Sequence, residues 1–522
     1  AAFWLLKPSA SMLDRHYNFL LPLFIITGIL SAEDAELPLR AAIDSALEHN
    51  LDLRIATYAP VDALDSVAIE EAQFDPSLFA SASLQERKSA ARSSALDDPV
   101  VPQSENRRAQ AGANKRYSTG ATVTLDSSTT RRYSNNNAAR NPDYGSDVGL
   151  LIRQPLLKDA WSTVNLAPLA RAKVTAERSL FELRSDVLDL VLNTEIAYWN
   201  LAYTRANKAL IASSLALAEN LLEENGERER LGLVTSLEVL QAEAEFLNQQ
   251  EAIIQADRAI EDAQDVLRHA MGQTNFMETT SGEILVMSLP DSMEPLRSIG
   301  DIVKDTVLSD VDAKVQEHRV EVERINRILA QDETRPNLDL TTGVTYLGRD
   351  QDGKTAYRGA YNADGYDWSF GLEVRMPWGF RDARARARKA KRAVESATLQ
   401  LYNIKQEKAL AARMAWRSAS AGFKRIEVTR ASVLLNEEAF EQERARYGSG
   451  LVPYRSLLEA QRDYDRAKSN YLQSIIETLR ATVRLSRVDG TLLARNGLDW
   501  NAIEPYTQLT APTVDLDSVS AK

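Results

Sequence analysis

The sequence predicts a mainly α protein with a smaller β portion, built as two tandem structural repeats of strands and very long helices. Three observations carry this reading. One motif is written twice, two long stretches are almost free of Gly and Pro, and several short segments alternate strictly between apolar and polar residues.

The duplication comes first. "YGSGLVPYRSLLEAQ" (447–461) echoes "ERLGLVTSLEVLQAE" (229–243). Gly232 and Gly450 lie 218 positions apart, and so do Gly272 and Gly490. Upstream, "LRAAIDSALEHNLDL" answers to "SIGDIVKDTVLSDVDAKV", and Asn50-Leu51-Asp52 to Asp310-Val311-Asp312. Pro76 answers to Pro336 and Pro155 to Pro377. Each repeat therefore reads helix, Pro, strands, Pro, very long helix, Gly turn, long helix, Gly. The expected boundaries are an extension and signal peptide at 1–32, a first repeat at 33–272, an equatorial linker at 273–297, a second repeat at 298–490 and a polar tail at 491–522.

The helices come next. Residues 169–225 contain neither Gly nor Pro, and residues 381–446 contain only Gly422. At 1.5 Å per residue they would run roughly 85 and 100 Å. Helical pattern of that length implies a coiled coil or a helical barrel rather than a globular core. Leu457, Tyr464 and Tyr471 recur every seven residues, flanked by Ala460 and Ala467, where small side chains let helices pack closely.

The strands differ in kind. "WSFGLEVRM" (368–376), "LDLTTGVTY" (338–346) and "DVGLLIRQ" (147–154) alternate, and each is about the length a tilted strand needs to cross a bilayer. A further strand is expected at 77–85, and a hairpin is possible in "RAQAGANKRYSTGATVTLD" (108–126), turning at Ser118-Thr119-Gly120. The candidate membrane strands thus fall within 77–156 and 337–377, four or six per chain. Intervening segments such as "TTRRYSNNNAARNPDYGSD" read as exposed loops. Four strands cannot close a barrel, and an open edge in lipid leaves backbone groups unpaired at several kcal/mol each. A transmembrane β-barrel completed by a cyclic homotrimer follows. The competing reading is an exported coiled-coil scaffold or adaptor with a small soluble β domain, because a half-buried soluble sheet alternates in the same way.

Composition sets the surroundings. A formal charge of −12 argues against nucleic acid as a partner. Without cysteine there are no disulfides, thiolate nucleophiles or Cys-based zinc sites. "MLDRHYNFLLPLFIITGILSA" reads as a signal peptide, with Arg15, an apolar run too short to span as a helix, and small residues at Ser31 and Ala32; the alternative is a single membrane anchor. Residues 1–11 precede Met12 as an extension. The four histidines show no ligand spacing, and no phosphate loop or nucleophile elbow occurs, so no enzyme, metal or cofactor is expected.

From roughly 37 to 493 the chain resembles the TolC family of outer-membrane efflux and secretion channels. "LRAAIDSALEHNLDL", "QFDPSLFASASL", "LGLVTSLEVLQAEAEF", "YGSGLVPYRSLLEAQRDYDRAKSNYLQSIIETLR" and "VDG" at 488–490 carry the resemblance. It implies a homotrimer with a barrel in the outer membrane of a Gram-negative-type bacterium and a helical barrel crossing the periplasm. It also implies a passive duct serving a tripartite efflux pump or a type I secretion system, with a periplasmic adaptor and an inner-membrane RND or ABC-type transporter as partners. Each Gly-Leu-Val turn then becomes a periplasmic hairpin tip. Gly232 and Gly450 supply φ > 0 where a helix must stop. Pro453 suits the first turn of the next helix, and Thr235 to Glu238 reads as a capping box. Leu233, Val234, Leu451 and Val452 either dock the adaptor or pack the tip internally.

The family resemblance also implies an acidic ring at the periplasmic entrance near the second tip. Aligned on Gly450, Glu459 takes one acidic position, while Ser456 stands where the other would be. Ser456, Glu459 and Asp463 share a helical face. They form the candidate gate, with an ordinary solvated face paired to Arg462 and Arg466 as the alternative. The run "RDARARARKAKR" (381–392) is expected to be a solvated helix face; the alternative puts its positive charge near the outer-membrane boundary, facing lipid phosphates or the lumen. "GEILVMSLP" (282–290) is expected to strap the equator, and the tail from Thr491 to be flexible or strapped beside it.

Overall fold

The computed structural model describes residues 36–88, 90, 92–94, 97–100, 103–135, 141–273, 282–290 and 294–500. The signal-peptide reading and the end of the tail lie outside these residues. The first repeat runs α1 (Leu39–His49), α2 (Leu51–Ala56), α3 (Tyr58–Ala72), β1 (Ser77–Lys88), β2 (Arg92–Ser94), β3 (Asp97–Val100), β4 (Gln103–Arg116), β5 (Thr122–Ser134), β6 (Asp143–Pro155), α4 (Ser162–Asn165), α5 (Ala167–Arg230) and α6 (Ser236–Ala270). The second runs α7 (Ile299–Ser309), α8 (Val311–Asp332), β7 (Asn337–Asp350), α9 (Gly353–Tyr361), β8 (Gly365–Arg375), a 3₁₀ turn (Trp378–Phe380), α10 (Arg381–Gly448) and α11 (Tyr454–Val488), with α12 (Leu492–Arg495) behind it.

Local chemistry repeats with the sequence. The Asn50 side chain accepts from the Leu53 N–H at 3.0 Å and the Asp310 side chain from the Ala313 N–H at 2.9 Å. Each thereby caps the helix that follows. α5 and α10 are the long helices, of 64 and 68 residues, and α6 and α11 are both 35 residues long. Gly422, inside α10, sits where a Cβ would run into Thr478 of α11, so the exception within the long helix is a close-approach point.

One six-stranded antiparallel sheet has the order β1-β4-β5-β6-β7-β8, and β2 and β3 form a separate ribbon. The first repeat thus contributes four strands and the second two. The sequence left four or six open; the conditional hairpin decides for six, turning at Gly120 with φ +87°. Residues 129–134 and 143–147, read as loop, form the outer parts of β5 and β6. Their polarity belongs to strands that extend past an apolar band. Residues 353–361, between the last two strands, are helix rather than loop.

Register assigns the faces. On one lie Ser81, Gln110, Ser128, Asp147, Thr345 and Asp367; on the other Leu78, Ala109, Leu125, Leu150, Val344 and Phe370. The second face lies open in this single chain, with Leu78 84%, Trp368 69% and Val374 64% exposed. A soluble half-buried sheet would cover that face, so the scaffold reading is disfavoured.

The buried cores lie among the helices. Ile43, Leu183, Val187, Val191, Val311, Val483, Leu492 and Leu493 form one at mid-length of the hairpins. The tail therefore begins in a core, because Leu492, Leu493 and Leu498 are buried there. Residues 282–290 run beside the start of the first repeat: the Leu37 N–H donates to the Leu285 carbonyl at 2.7 Å, and Tyr198 Oη donates to the Leu37 carbonyl at 2.7 Å. In the basic run, Arg386 pairs with Asp382 and Glu333, and Lys391 with Glu395.

Candidate functional site: the two hairpin tips

Both tips close by the same hydrogen bonds. The Gly232 N–H donates to the Glu229 carbonyl and the Leu233 N–H to the Arg228 carbonyl, each at 2.8 Å. In the second tip, Gly450 donates to Tyr447 and Leu451 to Arg446, each at 2.9 Å. This is a Schellman closure, which needs a left-handed residue just past the helix; Gly232 and Gly450 have φ of +76° and +73°. Glu238 Oε2 accepts from the Thr235 N–H at 3.1 Å, the reach-back half of a capping box. Pro453 is the N-cap of α11, one position before the first turn proposed for it.

Leu233 and Leu451 are 71% and 73% exposed, whereas Val234 and Val452 are half-buried. Val452 packs against the cluster of Leu221, Ala242, Phe440, Tyr447, Tyr454, Leu457 and Leu458. Glu459 and Asp463 are exposed and Ser456 is half-buried. Glu459 accepts from Arg455 at 2.9 Å and Asp463 from Arg466 at 2.8 Å. Arg462 does not serve this face. Its Nη2 and Nε both donate to Glu245 Oε2 of the first repeat, at 2.7 and 3.1 Å.

The structure also brings together residues that, apart from Tyr464 of the seven-residue seam, the sequence reading did not single out. Tyr447 Oη hydrogen-bonds to Asn225 Oδ1, and the Arg228 guanidinium lies 4.7 Å from the Tyr447 ring centroid while Nη1 donates to its carbonyl at 3.3 Å. Tyr447 meets Tyr454 edge-on, and Phe440 stacks on Tyr464. The Tyr454 hydroxyl and both amide atoms of Gln461 are buried without a hydrogen-bond partner among the described residues. Burial pushes the Tyr454 hydroxyl up to about 12, with the neighbouring Glu245 charge adding to it. Burial and then donation to Glu437 hold Tyr464 near the same value, about 12. Asp465 is raised by burial, against the pull of Ser214 and Lys468. A signal did exist: Glu245 and Asp463 are 218 apart, so a buried carboxylate occupies in one repeat the position of an exposed one in the other.

These tips can hold shape, pack and carry charge; among the described residues no group of His, Asp and Glu could hold a metal ion. No described helix is long and apolar enough to cross a membrane. The membrane-suited surface is the sheet, and the helices hang from one of its ends.

Fold and tips thus define a two-repeat protein of long helical hairpins joined to one end of an antiparallel sheet. Residues 103–273 and 304–491, well over half of the chain, match the outer membrane efflux protein family, and the chain belongs to it. No curated protein matches the sequence. The chain is similar in structure to the outer-membrane channel OprN, with TM-score 0.66, 18% identity, and coverage of 87% of this chain and 89% of that one. It is also similar to the CmeC outer membrane channel of Campylobacter jejuni (TM-score 0.64, 16% identity, 90% and 89%). The outer membrane protein VceC of Vibrio cholerae gives TM-score 0.63 and 18% identity over 87% and 96%. The protein is an outer-membrane efflux channel reaching into the periplasm, and the family is one of passive channels rather than of enzymes.

Proposed function

We propose that three copies of this chain close one duct and that the duct is the exit of a tripartite efflux pump or a type I secretion system. The observation that carries this reading is the open two-faced sheet. Among the described residues β1 pairs only with β4 and β8 only with β7, so two edges lack a partner there. β1 and β8 run in opposite directions, so β8 of one copy can continue the antiparallel pattern on β1 of the next. Three sheets of six strands make eighteen, wide enough for an aqueous lumen lined by the polar face. Leu233, Leu451 and their neighbours Val234 and Val452 are then the surface for a periplasmic adaptor, with Gly232 and Gly450 holding the turns. The adaptor in turn couples the duct to an inner-membrane RND or ABC-type transporter, and lipid of the outer membrane surrounds the apolar face.

At the entrance, Ser456, Glu459 and Asp463 of three copies form the charged ring. Outward movement of the second tip, released from its bonds at Tyr447 and Glu245, opens it. The test is single-channel recording of the crosslink-verified trimer in a planar bilayer. Discrete cation-preferring steps are expected, and a monomer that does not conduct would sink the proposal. Replacing Glu459 by Ala should shift the reversal potential toward zero; an unchanged value removes Glu459 from the ring.

A further inference from the structure

The helix between β7 and β8 is not used by conduction. It lies on the apolar face of the sheet, at the end far from the helical hairpins. Ala356, Gly359 and Ala360 form its buried stripe, seated over Gly348 and the fully buried Ser146. A Cβ on Gly348 would collide with the Ala356 carbonyl and the Ala360 amide, so backbone rests on backbone. Ser146 is satisfied beneath it by Thr129 at 3.2 Å. The N-terminus is fixed by Asp352, which accepts from the N–H and the hydroxyl of Thr355 at 3.0 Å each.

Its opposite face carries Lys354, Arg358 and Tyr361, all exposed, with Tyr357 beside them. Among the described residues neither Lys354 nor Arg358 has an ion-pair partner. Next to Tyr357 the apolar face is indented. Ala80, Ala82, Ala109, Ala111 and Thr129, where large side chains would fill the band, floor a groove of about 680 Å³ walled by Tyr357. It continues into a second hollow of about 580 Å³ bounded by Leu84, Arg107 and Arg131 at the outer end. There Glu105 is shared between Arg107 and Arg131. Aromatic and cationic side chains over a surface-lying helix are the pattern of a membrane interface.

We propose that α9 is an interfacial helix that holds a phosphorylated lipid of the outer leaflet. Lys354 and Arg358 bind the headgroup phosphate, and one acyl chain lies in the alanine-floored groove under Tyr357. This rests on the reading that the sheet spans the outer membrane with its apolar face outward.

The test is native mass spectrometry of the detergent-extracted trimer titrated with diphosphoryl lipid A. Wild type should bind it. K354Q/R358Q should weaken binding at least tenfold through the phosphate, and A109F should do so by filling the groove. R132Q, next to Arg131 but on the opposite face by register and outside both hollows, should bind like wild type. Equal binding by wild type, K354Q/R358Q and A109F would overturn the proposal, as would an equal loss in R132Q. A trimer that conducts in a planar bilayer yet binds no lipid A would remove this inference alone. A chain that neither trimerises nor conducts would remove the membrane reading beneath it.

Discussion

The two repeats are alike below the membrane and unlike within it. From the tip to the closing glycine they keep one offset: α6 begins at Ser236 and α11 at Tyr454, and they end at Ala270 and Val488. Across the strands the offset slips from 260, between Pro76 and Pro336, to 222, between Pro155 and Pro377. The 38 residues of difference lie where β4 and β5 are inserted in the first repeat. Physics allows the slip in one place and not the other. An added hairpin widens a sheet by two strands and leaves every other pair in register. An added turn in one helical hairpin would lift one tip away from its neighbours by about 5 Å.

The comparison breaks most sharply at Glu245 and Asp463, equivalent positions with unlike surroundings. Arg462→Ala strands a buried carboxylate and should cost about 3 kcal/mol in thermal unfolding. Arg466→Ala, which frees an exposed one, should cost under about 0.5 kcal/mol. Equal losses would mean that the buried pair does not join the repeats. At the tips the repeats should behave alike: Gly232→Ala and Gly450→Ala force a side chain into the left-handed region and should each cost about 1–2 kcal/mol. A difference of more than about 1 kcal/mol between them would show that one tip is held by its neighbours rather than by its own turn.

Smaller effects separate the repeats again. Tyr447→Phe removes the bond to Asn225 and should cost about 1 kcal/mol while raising open probability in the bilayer. Gln461→Leu, which replaces an unpartnered buried amide, should stabilise by about 1 kcal/mol. The smallest effect concerns pH. Burial acts to raise Asp312, but Lys408, Ser185 and Arg487 outweigh it and leave it lowered. Its contribution is therefore complete above the ordinary carboxylate value, near 4, and disappears as pH falls through the lowered one. Asp465 is raised, so its burial cost is present at neutral pH and is relieved as pH falls through the raised value. Unfolding followed from pH 7 to 3 should show the mid-length core weakening in acid, and Asp465→Asn should remove the opposite, tip-end contribution.

Much of this was legible because it is local. A glycine in a left-handed turn and a missing Gly or Pro over nearly sixty residues each constrain the chain within a few positions, and both gave the right element; the single first helix expected in each repeat is instead broken, at Asn50 into α1 and α2 and at Asp310 into α7 and α8, because each side chain caps a new helix. Strand alternation was also legible, though its outer ends were not. Beyond the lipid band both faces are polar, and a polar strand such as residues 129–134 reads as loop. Helix α9 escaped for a related reason. Its buried stripe is Ala356, Gly359 and Ala360, too weakly apolar to announce a packed face.

By itself the sequence determined the duplication, the helix lengths, the tip turns and the two-faced strands, since each depends on residues close along the chain. The tertiary structure alone decided which charges pair and which side chains are buried. Glu245 reaches Arg462 across 217 positions and Asn225 reaches Tyr447 across 222. Whether a carboxylate is exposed or buried depends on which helices surround it, and spacing along one helix does not carry that information.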